Sequence, residues 1–139
     1  MNATESNLRL IESYFYDVWN KGNLSKLDEI IDPAYINHNP GTPDPPAGPR
    51  GLKPIVAAMR KAIPDLTYTI EETIITPDRI VARTLVKGTH MDTLFGIPAT
   101  GKKFEIRQIN VEYVQNGKIT EHWRVTEELK WMQQLGVVQ

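Results

Sequence analysis

No cysteine occurs in the 139 residues. Disulfides, thiol nucleophiles and thiolate metal sites are therefore excluded. Histidine is scarce too: His38, His90 and His122 lie far apart, with no HExxH or other paired-histidine spacing. A metal site built from neighbouring ligands is not expected. The glycine-rich phosphate motifs are absent. Neither charge dominates, with 17 acidic against 16 basic residues and a formal net charge of −1. That balance leaves no electrostatic footprint for nucleic acid, and no polybasic run suggests a membrane surface. No apolar run has the length of a signal core or a membrane span, so the expectation is a soluble cytoplasmic protein.

What is present is a globular composition, 40% hydrophobic with three Trp and five Tyr. The length fits a single domain over residues 1–139. Leu8, Ile11, Phe15, Val18 and Trp19 recur at the i, i+3, i+4, i+7 spacing of an amphipathic helix, ended by Gly22. A second short helix carries Leu24, Leu27, Ile30 and Ile31, and Asp32-Pro33 stops it. Ala34–Asn39 reads as a short extended segment. Five of the ten prolines follow, at positions 40, 43, 45, 46 and 49. Such density forbids helix and interior strand, and suits a loop over a pocket mouth. A third helix is expected from about Arg50 to Ala62.

From Leu66 the pattern turns to strands: Leu66–Ile75, Arg79–Thr89, Lys103–Gln115 and Lys118–Thr126. Glu127–Leu135 reads as a closing helix. Helices first and an antiparallel meander after them make an α+β fold, with helices on one face of a curved sheet.

The Asn116-Gly117 hairpin can be read as a two-residue turn or as a three-residue loop with a bulge. In the three-residue reading Val114 pairs with Lys118. Ile119, Glu121, Trp123 and Val125 then share a face with Tyr113, Val111, Ile109 and Arg107. The opposite face collects Thr120, His122, Arg124, Thr126, Glu112, Asn110 and Gln108. This clean segregation favours the bulged loop, with the apolar set facing the core. Glu121 and Arg107 are then charges on the inner face. They belong either to a polar cavity or to a structural ion pair. His38 shares the side of Ile36, at a pocket rim or in loop hydrogen bonds. His90 shares the parity of Ile80, Ala82, Thr84 and Val86. His122 falls on the polar face, towards solvent or a dimer partner. Tyr14, Phe15 and Trp19 fit core packing, and Trp123 could floor a pocket for a flat ligand.

The segments YINHNP, GPRGLKPIVAAMRKAIPDL, KGTHMDTLFGIPATGKKFEI, VQNGKITEHW and QQLG, in this order, resemble the SnoaL-like polyketide cyclases. These are also called ester cyclases, of the nuclear transport factor 2-like superfamily. The resemblance implies a cone-shaped barrel, a curved and mostly antiparallel sheet wrapped on the N-terminal helices, with a deep pocket. It also implies a homodimer formed through the sheet, and aldol cyclisation of a small hydrophobic carbonyl compound with no cofactor and no metal. By motif, Glu121 is the acid/base, with His38, His90 and Arg107 as further catalytic candidates. Trp123, Asn39 and Tyr14 are the candidate substrate contacts. The aspartate frequent in the family shortly after the EHW segment is missing, and Glu127 and Glu128 stand nearby. Two alternatives stay open: a non-catalytic small-molecule binder, and an epoxide hydrolase or isomerase on the same scaffold.

Overall fold

A computed structural model describes all 139 residues. Helix α1 (Ala3–Glu12) starts on Asn2, whose side chain accepts from the Glu5 amide, and continues as a π-helix over Ser13–Asn20. A 3-10 turn (Leu24–Lys26) leads into α2 (Leu27–Ile30) and then β1 (Ile31–Asn37). Helix α3 (Pro49–Ala62) begins with proline at its first position, where no amide hydrogen is needed. Strands β2 (Thr67–Ile75), β3 (Arg79–Thr89), β4 (Lys103–Gln115) and β5 (Lys118–Thr126) follow, and α4 (Glu128–Leu135) closes the chain.

The strands form one open, mixed sheet in the order β1-β5-β4-β3-β2. The last four make the expected antiparallel meander. The first strand adds to β5 in parallel, which its early place in the chain permits because α3 and the meander form the crossover. This α+β arrangement is the cone-shaped fold expected. Its concave face wraps Tyr14, Phe15, Val18 and Trp19 of the π-helix, and Phe15 and Trp19 both pack on Tyr68 of β2, with ring centroids 5.3 and 5.2 Å apart. They belong to a core of 26 buried apolar residues. Gln134 fixes α4 to β4 by bonding both the amide and the carbonyl of Glu105. The proline-rich loop lies against α3: a β-carbon on Gly51 would come within 1.8 Å of the Pro46 carbonyl oxygen. No helix is long and apolar enough to cross a membrane.

The β4–β5 hairpin corrects the expected turn. Gln115 pairs with Lys118 across a two-residue turn, with φ of 52° at Asn116 and 75° at Gly117. Both residues occupy the left-handed region that such a tight turn requires. The extra residue sits further on: Val114 pairs with Ile119, but Tyr113 pairs with Glu121, so Thr120 is bulged out. Its hydroxyl donates to the Tyr113 carbonyl at 3.2 Å. Beyond the bulge the residues segregate as the sequence suggests, but the faces are reversed. Gln108, Asn110, Glu112 and His122 are buried on the concave face. Ile109, Trp123 and Val125 are exposed on the convex face.

Candidate active site

Three rungs of inward-facing side chains cross the concave face. Glu112 pairs with His122, Asn110 with Arg124, and Gln108 with Thr126. Polar residues crowd a core face here, and each needs a partner. The Asn110 amide donates to the Ala82 carbonyl and to Thr84 Oγ1, both at 3.1 Å. His122 Nδ1 lies 2.5 and 2.6 Å from the two carboxyl oxygens of Glu112. Both side chains are only 1% exposed. His122 Nε2 is buried without a partner. Burial pushes the Glu112 carboxyl up from its ordinary value, and the attraction of His122 and Arg124 only partly offsets this. Around this pair lie Tyr14, whose ring centroid is 6.4 Å from that of His122, and Tyr35. Burial raises the phenol pKa of both, as it pushes Tyr68 up to about 12.

A cavity of about 440 Å³ opens at the Arg124 end of this stack. Trp19, Tyr68, Phe95 and Trp131 supply aromatic walls, Gln108, Arg124 and Asn39 supply polar ones, and Glu128 stands at the first turn of α4. Neither Glu112 nor His122 forms part of the cavity wall. Asn39 locks the proline-rich loop onto β5: its Oδ1 accepts from the Arg124 amide at 2.7 Å, and its carbonyl accepts from the Arg124 guanidinium at 2.6 Å.

The expected site residues divide between two faces. Asn39 lines the cavity, and Tyr14 is buried close to His122. His90 is buried as its parity suggests, but its Nδ1 bonds the Thr100 hydroxyl at 3.0 Å, and it does not line this cavity. Glu121, Arg107, Trp123 and His38 need correction, because all four lie on the convex side. Arg107 binds Glu71 of β2, at 2.9 and 3.2 Å, at the surface. That contact raises the Arg107 pKa and lowers that of Glu71. His38 bonds Glu121 at 2.9 Å and stacks on Trp123, ring centroids 3.7 Å apart. Trp123 therefore floors no interior pocket.

The interior set of Gln108, Asn110, Glu112, His122 and Arg124 is the polar face that the sequence pattern places away from the core. Its signal was visible as the segregated polar face itself. A sheet closing on a polar cavity, with an apolar outside, inverts the usual inference from polarity to direction.

The SnoaL-like polyketide cyclase family matches residues 9–135. The chain belongs to this family. Among curated relatives, aklanonic acid methyl ester cyclase DnrD of Streptomyces peucetius is 28% identical over 134 residues, 92% of this chain and 86% of that one. Nogalonic acid methyl ester cyclase of Streptomyces nogalater is 26% identical over 106 residues, 75% of this chain and 78% of that one. Among solved structures, TsrD from Streptomyces laurentii superposes with a TM-score of 0.89 at 26% identity, over 96% of this chain and 97% of that one. In this SnoaL-like chain Arg124, directly after the EHW segment, stands on the cavity wall.

Proposed function

We propose that this protein is a cofactor-independent acid/base enzyme of the ester-cyclase type, closing a ring in a hydrophobic carbonyl compound held in the interior cavity. The observation that carries the reading is the His122 ring, with Nδ1 fixed by a buried carboxylate and Nε2 unpartnered. With the proton on Nδ1, that arrangement leaves the Nε2 lone pair free as a general base. Nε2 removes a proton from the carbon beside an ester carbonyl. Gln108 and Arg124 donate to the oxygen that gains charge. The enolate carbon bonds to a ketone carbon of the same molecule, and the new alkoxide takes up the proton. The ring lies one rung deeper than the cavity wall, behind Arg124, so the reading requires the reacting carbon to reach past that side chain.

The test is turnover of aklanonic acid methyl ester and nogalonic acid methyl ester by the wild type and by His122→Asn. Ring closure by the wild type and its loss in the variant support the reading. Full turnover by the variant would overturn it. Incorporation of oxygen from labelled water would instead indicate hydrolysis.

One observation favours binding without catalysis: the Glu112–His122 pair is not on the cavity wall. On that reading the pair is structural, and the same esters bind but return unchanged.

We also infer a homodimer through the convex face. Ile74, Val81, Val111 and Trp123 form an unbroken cross-strand row there, and Val125 beside it is 73% exposed. An apolar strip of this kind fits a second copy of itself. Val125→Glu should shift the sedimentation coefficient from dimer to monomer; a wild type that sediments as a monomer would refute the inference.

A further inference from the structure

The chain makes the same tight turn twice. Asn116-Gly117 joins β4 to β5 with φ of 52° and 75°. Phe95-Gly96 joins Leu94 to Ile97 with φ of 51° and 77°. Leu94 and Ile97 exchange both backbone bonds, at 3.0 and 2.8 Å. The first central position of such a turn suits asparagine or aspartate, whose short side chains bond locally and tolerate the left-handed region. A bulky side chain there is an outlier. Phenylalanine therefore works against this turn.

Burial does not explain the residue either. Phe95 is 56% exposed, whereas Leu94 before it is buried. What the ring does have is a place on the cavity. It lines the wall with Trp19, Tyr68 and Trp131, and a side chain that lines a cavity while facing solvent stands at its rim. It meets the Trp131 ring of α4 edge to face, centroids 5.6 Å apart and planes at 83°. It also approaches the proline-rich loop: a β-carbon on Gly41 would stand 3.6 Å from Phe95 Cε1.

The segment that carries the ring is anchored at its root. Met91 and Asp92 donate to the Ala62 carbonyl at the end of α3, and His90 is bonded to Lys102, Gly101 and Thr100. Trp131 in turn rests on Phe104, with ring centroids 5.1 Å apart. The ring is held in position before any ligand arrives, which spares the ordering cost of a mobile lid. Backbone strain of this kind persists where the surroundings over-determine it, and it clusters at ligand clamps.

We propose that Phe95 is a specificity-determining residue, a fixed aromatic cap at the cavity rim that packs on flat aromatic rings of the bound compound. The turn gives up stability to present it. This rests on the cavity being the ligand site, as the proposed function does, but not on His122 acting as a base.

The probes are methyl 2-naphthoate and its ring-saturated counterpart, methyl decahydronaphthalene-2-carboxylate, titrated by calorimetry. Neither carries a ketone, so neither can close a ring, and binding is read apart from turnover. Phe95→Asn should weaken binding of the naphthoate about tenfold, and of the saturated ester about threefold or less, because only the first loses an aromatic pairing as well as contact area. Phe95→Tyr, which keeps the ring, should bind both as the wild type does. Without ligand, Phe95→Asn should melt about 1–3 °C above Phe95→Ala, since both lose the ring and only asparagine suits the turn. Phe95→Ala supplies the affinity comparison if the asparagine variant does not fold. Unchanged naphthoate affinity in Phe95→Asn overturns the proposal, as does equal weakening of the two esters. An asparagine variant that melts below the alanine one also overturns it, because the turn would then not be opposing the ring. Failure of the wild type to bind the naphthoate overturns it as well, and failure to bind either ester overturns the cavity reading with it.

Discussion

Two histidine–glutamate pairs sit back to back on the same strand. Glu121 and His122 are neighbours in β5, and each meets its partner on the opposite side of the sheet. Outside, His38 and Glu121 approach to 2.9 Å with side chains 27% and 36% exposed. Inside, His122 and Glu112 approach to 2.5 Å with both side chains 1% exposed. The residue types are the same and the surroundings differ. Water screens the outer pair, so the geometry there is worth little: exposed pairs contribute about 0.2–1 kcal/mol. The inner pair is desolvated. Its charges are costly unless matched, and its imidazole is held in one orientation. The second environment suits acid/base chemistry, which is why the proposed site lies on the concave face although the motif draws attention to Glu121.

The comparison breaks most sharply at turnover. His122→Asn should lower kcat on an accepted methyl ester by about 100-fold or more, the lower range for losing a positioned general base, whereas Glu121→Gln should leave kcat within about twofold. Equal losses in the two variants would erase the distinction between the faces. Stability offers the next contrast. Asn110 is 1% exposed, and Asn110→Ala strands its two acceptors, so it should cost about 1–3 kcal/mol in chemical denaturation. Glu121→Gln should cost no more than about 1 kcal/mol, as for an exposed pair.

The pH response is a finer probe. Burial raises the Glu112 carboxyl above its ordinary value of 4.5, so the folded chain holds that proton more tightly than the unfolded chain does. The stability contributed by this group is therefore full below 4.5 and is lost as pH rises through the raised value. Melting temperatures recorded from pH 4.5 upward should fall more in the wild type than in Glu112→Gln. Parallel curves would show that the carboxyl is not perturbed. The smallest expected effect lies outside: Arg107→Gln, which breaks the contact with Glu71 at the surface, should leave ester turnover unchanged.

Much of this was legible in the residues. The limits of β3, β4 and β5 follow from their β-branched runs and from Asn116-Gly117, and the proline-rich segment does border the cavity through Asn39. The order of helices and strands carried the α+β class. Three features were hidden. The parallel pairing of β1 with β5 joins segments more than 80 residues apart, and no local pattern reports it. The continuation of α1 as a π-helix leaves no mark in the amphipathic stripe of Phe15, Val18 and Trp19. The direction of the hairpin faces depends on what fills the interior. Segregation of Gln108, Asn110 and Glu112 from Ile109 and Val111 does mark two faces. Cores are usually apolar, so the pattern alone points the apolar face inward. Here Phe15, Trp19 and Tyr68 fill part of the interior, and polar strand residues face the space that remains.

Thr120 sets the phase of everything after it. If it took its place in the ladder opposite Tyr113, each later residue would step by one: Glu121 would meet Glu112, and His122 would turn outward. Looping one residue out is a half-wavelength shift of the strand, and it turns an imidazole inward that simple alternation from Ile119 would expose. The inward residues of β5 consequently run 119, 122, 124, 126, a series with one step of three among steps of two. Removing Thr120 would heal the ladder and keep both that orientation and the Glu112–His122 rung, whereas one added residue taken into an unbroken ladder would keep the faces but slide His122 from Glu112 to Asn110. The strand therefore tolerates a loss at this point and not a gain, an asymmetry that a library of single-residue insertions and deletions between Ile119 and His122 can read directly.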